Sequence, residues 1–152
     1  MKSELKVKAI EKGTVIDHIQ ANNLYKIMSI IEIEKLDTQI FIGNNLDSQK
    51  YGKKAIIKIA DKFPSMEDVN KIALIDPNAV INIIRDYQVV EKKKVELPET
   101  VSTFIKCINP KCITNHEKVE TKFSVHVKDG KVNLKCFYCE KTTGQDNIEV
   151  IR

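Results

Sequence analysis

Short runs of β-branched and other apolar residues, separated by polar positions, recur through the first ninety residues of the chain. Alternation with a period of two is typical of half-buried strands, and short continuous apolar runs are typical of buried ones. The pattern predicts six strands, at residues 5–10, 15–19, 40–42, 55–59, 80–84 and 89–90.

Two longer segments follow a helical period instead. Residues 22–33 repeat apolar side chains at the spacing of one helix face, and an asparagine stands at position 22 or 23 to cap the first turn. The second helix is expected to begin after Ser65, whose hydroxyl is well placed as an N-cap. We expect it to end before Asp76-Pro77, since a proline disfavours helix in the residue that precedes it.

This order of elements predicts an α+β fold in two domains. The first, residues 1–97, is expected to be a ferredoxin-like α/β sandwich, with a largely antiparallel sheet and both helices on one face. The charged segment at residues 91–99, which contains Pro98, is interpreted as the exit into a linker. The second domain, residues 98–152, is expected to be a small β-rich zinc ribbon.

All four cysteines lie in that second part of the chain. Cys107 and Cys112 form a C-x4-C pair, and Cys136 and Cys139 form a C-x2-C pair. Each pair can point two sulfurs at one centre from a tight turn, so the spacing predicts one structural Zn²⁺ held by four thiolates. Such a site has no open position for catalysis.

Two other interpretations fit a set of four cysteines. Two disulfides would fit the count, but a cytosolic compartment keeps thiols reduced. An iron–sulfur centre also uses four thiolates. Alternating apolar residues flank Asp129-Gly130, which predicts a β-hairpin between the two cysteine pairs. A domain of roughly 50 residues has little core of its own, so metal binding is expected to contribute to its folding.

The net charge of +4 is spread evenly, because residues 1–98 hold 16 basic and 14 acidic side chains and residues 99–152 hold 9 and 7. Without a basic segment or any Trp, we expect no nucleic-acid partner, although a zinc-ribbon nucleic-acid-binding protein is the main alternative. No apolar run is long enough for a membrane span, and the first residues lack the apolar core of a signal peptide. A cytoplasmic protein is therefore predicted.

The first domain holds a candidate anion site. Asp17 and His18 end an apolar strand, where adjacent residues on a regular strand point to opposite faces. Lys58 lies inside another strand and Lys92 follows a third, so that a sheet would bring the lysines together. Phosphate-binding glycine loops, a nucleophile elbow and an open metal site are all missing, which argues against an enzyme.

Four segments resemble the regulatory chain of aspartate carbamoyltransferase: VKAIEKGTVIDHI at residues 7–19, IGNNL at 42–46, GKKAIIKI at 52–59 and CFYCEK at 136–141. The resemblance spans essentially the whole chain, including the spacing of the cysteines. It implies a non-catalytic subunit of pyrimidine biosynthesis that binds ATP, CTP and UTP, pairs with a second copy through the allosteric domain, and contacts the catalytic chain through the zinc domain.

The resemblance also implies the site residues. The nucleotide would be bound by Val7, Lys8, Ala9, Ile10, Asp17, His18, Lys54, Lys58, Asn82, Ile84, Tyr87, Val89 and Lys92. The catalytic chain would be contacted by Asn109 and Glu140. One departure is Lys8, since members of the family can carry an acidic residue there.

Overall fold

The structure is a computed structural model, which describes residues 9–151. The chain folds as two compact units, Met1–Glu96 and Leu97–Arg152. The predicted strand at residues 5–10 lies partly outside the described residues. Its described part, Ala9 and Ile10, has no regular secondary structure.

Within residues 9–96, the N-terminal unit contains five strands and two α-helices. In chain order they are β1 (Gly13–Gln20), α1 (Leu24–Ile30), β2 (Ile40–Ser48), β3 (Gly52–Ala60), α2 (Met66–Ile75), β4 (Val80–Arg85) and β5 (Gln88–Lys94). The strands form one sheet in the order β2-β3-β1-β4-β5, and every pair is antiparallel. The predicted α+β sandwich of ferredoxin-like type is confirmed.

The two faces of this sheet differ in character. One face carries Ile16, Ile57 and Ile81, which are almost fully buried and which pair directly across β1, β3 and β4. The helices pack on this side, where Ile72 of α2 shares a cleft with Ile16. The opposite face carries Val15 and its cross-strand partners, and there the candidate site lies.

The start of α2 was predicted correctly, but the extent of α1 was not. At the start of α2, the backbone amide of Asp68 donates to the Ser65 hydroxyl at 3.1 Å, which confirms the predicted cap. α1 is shorter than predicted and its N-cap residue, Asn23, makes no capping bond. The Asn23 amide group instead donates to the buried Asp76 carboxylate at 3.2 Å, so a long-range contact replaces the local one.

All five strands of this sheet are longer than predicted, β2 and β5 by the most. β2 continues to Ser48, and β5 continues to Lys94. The charged residues 91–94, interpreted as part of a linker, pair with residues 80–83 of β4. Backbone pairing with β4 therefore outweighs the unfavourable composition of this edge strand.

The C-terminal unit, described as far as residue 151, is built from six short strands. They are β6 (Thr100–Ser102), β7 (Ile105–Lys106), β8 (Lys122–Lys128), β9 (Lys131–Cys136), β10 (Thr142–Gly144) and β11 (Glu149–Val150). Four of them form a sheet in the order β10-β9-β8-β6, and β11 pairs with β7. β8 and β9 are the predicted hairpin, whose turn residues Asp129 and Gly130 have φ of 53° and 76°.

Within the described residues 9–151, no helix combines the length and the apolar character that crossing a membrane requires.

Candidate functional site

The four cysteines come together at one point of the C-terminal unit. Their sulfur atoms all lie within 4.8 Å of one another, and the Cys107–Cys139 and Cys112–Cys136 sulfur separations are 3.6 and 3.7 Å. Disulfide sulfurs would be about 2.05 Å apart. Thiolates about 2.3 Å from a shared tetrahedral zinc ion would be about 3.8 Å apart. The donor set therefore fits one closed, four-coordinate metal site.

Polar groups around the cluster orient the sulfurs. The Thr114 hydroxyl donates to Cys112 Sγ at 3.2 Å, and the Tyr138 amide donates to Cys136 Sγ at 3.4 Å. The Glu140 amide donates to the Cys136 carbonyl at 3.0 Å, and this closes the turn between the second pair of cysteines. Hydrogen bonds of this kind hold metal ligands in position and stabilise negative charge on sulfur.

The thiols of the cluster do not favour the same protonation state. Burial raises the pKa of Cys107 and also raises the pKa of Cys136. Burial acts in the same direction on Cys139, but hydrogen bonds from the Lys141 amide and the Asn109 side chain outweigh it and lower the pKa to about 7. A bound cation would offset the cost of burying several thiolates together.

A second cluster forms on the helix-free face of the N-terminal sheet. Lys58 of β3 pairs with Val15 of β1, Val15 pairs with Asn82 of β4, and Asn82 pairs with Lys92 of β5. Directly paired residues lie on the same face of an antiparallel sheet. With strands about 4.8 Å apart, the two lysines flank a strip about 14 Å wide at the backbone.

Asp17 and His18 lie where β1 departs from regular geometry. The pairing of β1 with β3 shifts register between Ile16 and Ile19, and His18 has φ of 58°. This is a β-bulge, which breaks the alternation of side chains on which the expectation of opposite faces rested. The Asp17 carboxylate accepts from the His18 amide at 2.7 Å and from Lys54 Nζ at 3.0 Å.

Two further observations concern polar groups on this face, namely the pKa of Lys58 and the hydrogen bonding of Asn82. Burial lowers the pKa of Lys58, and the negative charge of Asp17 acts in the opposite direction. Asn82 Oδ1 is buried and has no hydrogen-bond partner among the described residues. Buried polar groups are nearly always hydrogen-bonded, so an unpartnered oxygen between the two lysines is an exception.

The remaining predicted nucleotide residues lie beside the row, near the start of β1 and the turn between β4 and β5. Ile10 is buried in a small cluster with Val15 and Ile84, and Ile84 pairs with Val89. The Tyr87 amide donates to the Glu11 carbonyl at 2.8 Å, which ties the segment before β1 to the β4–β5 turn. Ala9 is exposed beside Ile10. Val7 and Lys8 lie outside the described residues.

Two residues on this face were absent from the predicted set. Val15 forms the centre of the row, and Lys94 pairs with Val80, which in turn pairs with Asp17. Lys94 was detectable, because residues two apart on a strand share a face and Lys92 was already a candidate. Val15 was not, because an apolar residue inside a strand is expected to be core.

The predicted contact residues Asn109 and Glu140 lie in the two cysteine turns. The Asn109 carbonyl accepts from the Cys112 amide at 3.0 Å, and Glu140 has φ of 63°. Four large apolar side chains that follow cysteines directly in sequence, or nearly so, are roughly half exposed: Ile108, Ile113, Phe137 and Tyr138. These four residues are called the knuckle patch below.

Two family models match this chain, and the boundary between them lies close to the boundary between the two structural units. Residues 5–96 match the family model for the allosteric domain of the aspartate carbamoyltransferase regulatory chain, and residues 99–149 match the model for its metal binding domain. The chain belongs to the aspartate carbamoyltransferase regulatory chain family. The allosteric-domain match covers the lysine row, and the metal-binding match covers the cysteine cluster.

Individual members of this family are similar along their whole length. The regulatory chain of Bacteroides fragilis is 50% identical over 150 residues, covering 99% of this chain and 97% of its own. That of Parabacteroides distasonis is 50% identical over 147 residues, covering 97% and 95%. That of Pyrococcus abyssi is 48% identical over 148 residues, covering 96% and 97%. The prediction of a regulatory chain rather than an enzyme is confirmed by this family.

Proposed function

We propose that this regulatory chain binds ATP, CTP and UTP on the helix-free face of its N-terminal sheet and transmits their effect to aspartate carbamoyltransferase catalytic chains. The observation that carries the proposal is the row from Lys58 to Lys92, with the unpartnered side-chain oxygen of Asn82 between them. A triphosphate carries several negative charges, and clustered ammonium groups attract it as point charges without a glycine loop.

The nucleoside would lie beside the apolar end of the same face. Ile10, Ile84 and Val89 offer a wall for either a purine or a pyrimidine ring, next to the exposed Tyr87. Residues 7–10 would read the base edge through backbone groups, which suits more than one base. Asp17 and His18 would lie near the ribose and phosphates.

Calorimetric titration of lysine variants with ATP and CTP tests the phosphate site. Lys58→Ala and Lys92→Ala should each weaken binding about tenfold or more, since each removes a charge-assisted hydrogen bond worth roughly 1.5–3 kcal/mol. Lys93→Ala is the matched control, because Lys93 pairs with Ile81 of the buried face. Equal affinities in the Lys58, Lys92 and Lys93 variants would rule out this site.

For the metal centre we propose one Zn²⁺ per chain, bound by Cys107, Cys112, Cys136 and Cys139. Four thiolates at tetrahedral separations favour zinc, or iron in a sulfur-rich site, over hard cations. Metal analysis of purified chain should find about one equivalent of zinc. A visible charge-transfer spectrum with iron in its place would decide for the alternative.

We further propose that the knuckle patch, with Asn109 and Glu140 beside it, contacts the catalytic chain. Half-exposed aromatic and aliphatic side chains rimmed by polar groups are typical of protein interfaces. The patch is formed by the cysteine turns, so metal loss should also abolish docking. Phe137→Ser should weaken assembly with catalytic chains, whereas Val127→Ser, an equally exposed change on β8, should not.

Pairing of two copies through the N-terminal unit would use the β2 edge of the sheet. Both β2 and β5 are edge strands, but β5 carries Glu91 and three lysines, which discourage edge-to-edge pairing. β2 is nine residues long and exposes Ile42. Ile42→Glu should therefore shift the chain towards monomer in analytical ultracentrifugation, and Val90→Glu on β5 should not.

Regulation itself is tested by reconstitution with catalytic chains. Saturating ATP or CTP should shift the aspartate saturation curve of the complex, because typical coupling between distant sites is about 1–3 kcal/mol. The nucleotides must bind the quaternary states with different affinities, since a ligand with equal affinity for both shifts nothing. One curve with and without bound nucleotide would refute the regulatory role.

A further inference from the structure

The ion pair between Asp17 and Lys54 differs from a neighbouring one in its burial. Its two side chains are only 20% and 23% exposed, with the carboxylate 3.0 Å from Lys54 Nζ. The pair between Asp47 and Lys53, one residue along β3, is 91% and 57% exposed. Solvent screens the Asp17 pair much less, so its charges act more strongly on each other and on neighbouring groups.

The carboxylate is also fixed in place by the backbone. The bulge at His18 turns that residue's amide towards Asp17, and the amide donates to the same Oδ1 atom that accepts from Lys54. Asp17 also lies close enough to Lys58 for its charge to act on that ammonium group. The Asp17 carboxylate therefore interacts electrostatically with two lysines of the candidate anion site, Lys54 and Lys58.

The Asp17–Lys54 ion pair holds a lysine of the candidate anion site in position, but it also opposes the binding of an anion there. A phosphate that approaches Lys54 meets a carboxylate already bound there, and like charges at such distances repel in a partly desolvated site. Lys54, Lys58 and Asp17 together carry a net charge of about +1 at neutral pH. A ligand with a single phosphate gains little from such a site, whereas a longer chain of phosphates also reaches towards Lys92.

We propose that Asp17 is an internal competitor for the ligand's phosphates, so that it lowers the affinity of the site for anions in general and restricts binding to highly charged ones. The inference rests on the proposed nucleotide site and adds a specificity-determining residue to it. In this role Asp17 is a counter-ion that the ligand replaces at Lys54.

Asp17→Asn tests the competition, with inorganic tripolyphosphate as the probe and the full chain titrated by calorimetry. Asparagine keeps an oxygen for the His18 amide and removes the charge. Tripolyphosphate affinity should rise about three- to tenfold, the range expected for removal of one competing ion pair. Using a probe without ribose separates competition from any contact of Asp17 with the sugar.

Asp47→Asn is the matched control, because it breaks an ion pair with the adjacent lysine on the exposed hairpin; it should leave the affinity unchanged. In a Lys54→Ala background, Asp17→Asn should have a smaller effect. Unchanged or weaker tripolyphosphate binding by Asp17→Asn, in a chain with a native circular dichroism spectrum, would overturn the inference.

The Lys58→Ala variant distinguishes a failure of the Asp17 competition from a failure of the proposed nucleotide site. If tripolyphosphate binding depends on Lys58 but Asp17→Asn does not tighten it, only the competition is refuted. If wild type and the Asp17 variant both fail to bind, or bind independently of Lys58, the anion site itself is refuted. Binding by the Asp17 variant alone would be the strongest support.

Discussion

Gly13 opens β1 at a position where the backbone leaves no room for a side chain. It pairs with Ala60 of β3 on one side and Ile84 of β4 on the other, with φ of 136°. A Cβ atom here would lie 2.1 Å from the Ile59 carbonyl oxygen. The central strand that carries Val15 and Asp17 therefore requires glycine at its first residue.

We predict that Gly13→Ala lowers the free energy of unfolding of the N-terminal unit by about 3 kcal/mol or more, because the clash is with backbone and cannot be relieved by a rotamer change. Gly52→Ala is the control. Its φ is 78° and nothing lies within 4 Å of the added Cβ, so only the backbone cost of about 1–2 kcal/mol is expected. Urea denaturation measures both, and equal losses would contradict the steric explanation.

Single residues of the site could be foreseen only where a local rule holds. The four cysteines were identified from spacing alone and do come together, whereas the anion site predicted from lysines on strands stays a prediction. The bulge at His18 was not foreseeable, because nothing in GTVIDHI signals that β1 shifts its register against β3. Asn82 became informative only once its buried oxygen could be examined for partners.

Among the elements, α2 was predicted best because its signals are local. Its N-cap bond is made by Ser65, an exposed residue whose hydroxyl accepts from Asp68. α1 and β5 were predicted less well. α1 ends early, with Glu32 at φ 51° just beyond it, and β5 persists in a lysine-rich stretch because β4 is there to pair with. A partner distant in sequence decided β5, whereas α1 is ended by the local left-handed turn at Glu32.

Ser65→Ala should lower the free energy of unfolding by about 1 kcal/mol, the usual cost of removing an N-cap side chain. Ser65 is exposed, so no packing is lost with the hydroxyl. Ser65→Asp keeps an acceptor for the Asp68 amide and should retain wild-type stability. If the alanine and aspartate variants were equally destabilised in thermal denaturation, the cap would not be the cause.

Asp76 joins the end of α2 to the end of β1. It is 1% exposed, and its Oδ2 accepts from the Gln20 amide at 2.8 Å and from the Asn23 side chain at 3.2 Å. Its Oδ1 accepts from the Asn78 amide at 3.2 Å. One buried carboxylate thus satisfies donors from two connections of the fold.

Asp76→Ala should therefore cost about 2–4 kcal/mol, because it leaves the buried Asn23 side chain and the half-buried Gln20 amide without an acceptor at roughly 1–3 kcal/mol for a fully buried donor. Asp76→Asn keeps one carbonyl oxygen and should cost less. Chemical denaturation gives both values. Alanine costing no more than asparagine would mean that solvent reaches these donors after the substitution.

At the scale of the whole chain, the two units have separate cores, and these cores are stabilised in different ways. The N-terminal core is aliphatic, with residues such as Ile19, Ile27 and Ile72 fully buried. The C-terminal core includes Phe123 and Leu134, but three of the four cysteines are buried with them. Without a metal, that smaller core would contain polar thiols instead of a charge-compensated centre.

We therefore predict that metal removal unfolds one unit and spares the other. Treatment with a mercurial reagent and a chelator should collapse amide hydrogen-exchange protection in β8 and β9, because metal-binding energy is folding energy in a small domain. Protection in β1 and β3 should persist, and with it the affinity for tripolyphosphate, since their pairing involves no cysteine. Returning zinc to thiol-restored chain should recover the protection of β8 and β9. Simultaneous loss of protection in all four strands would show instead that the chain unfolds as a single cooperative unit, and that the metal stabilises the N-terminal sheet as well.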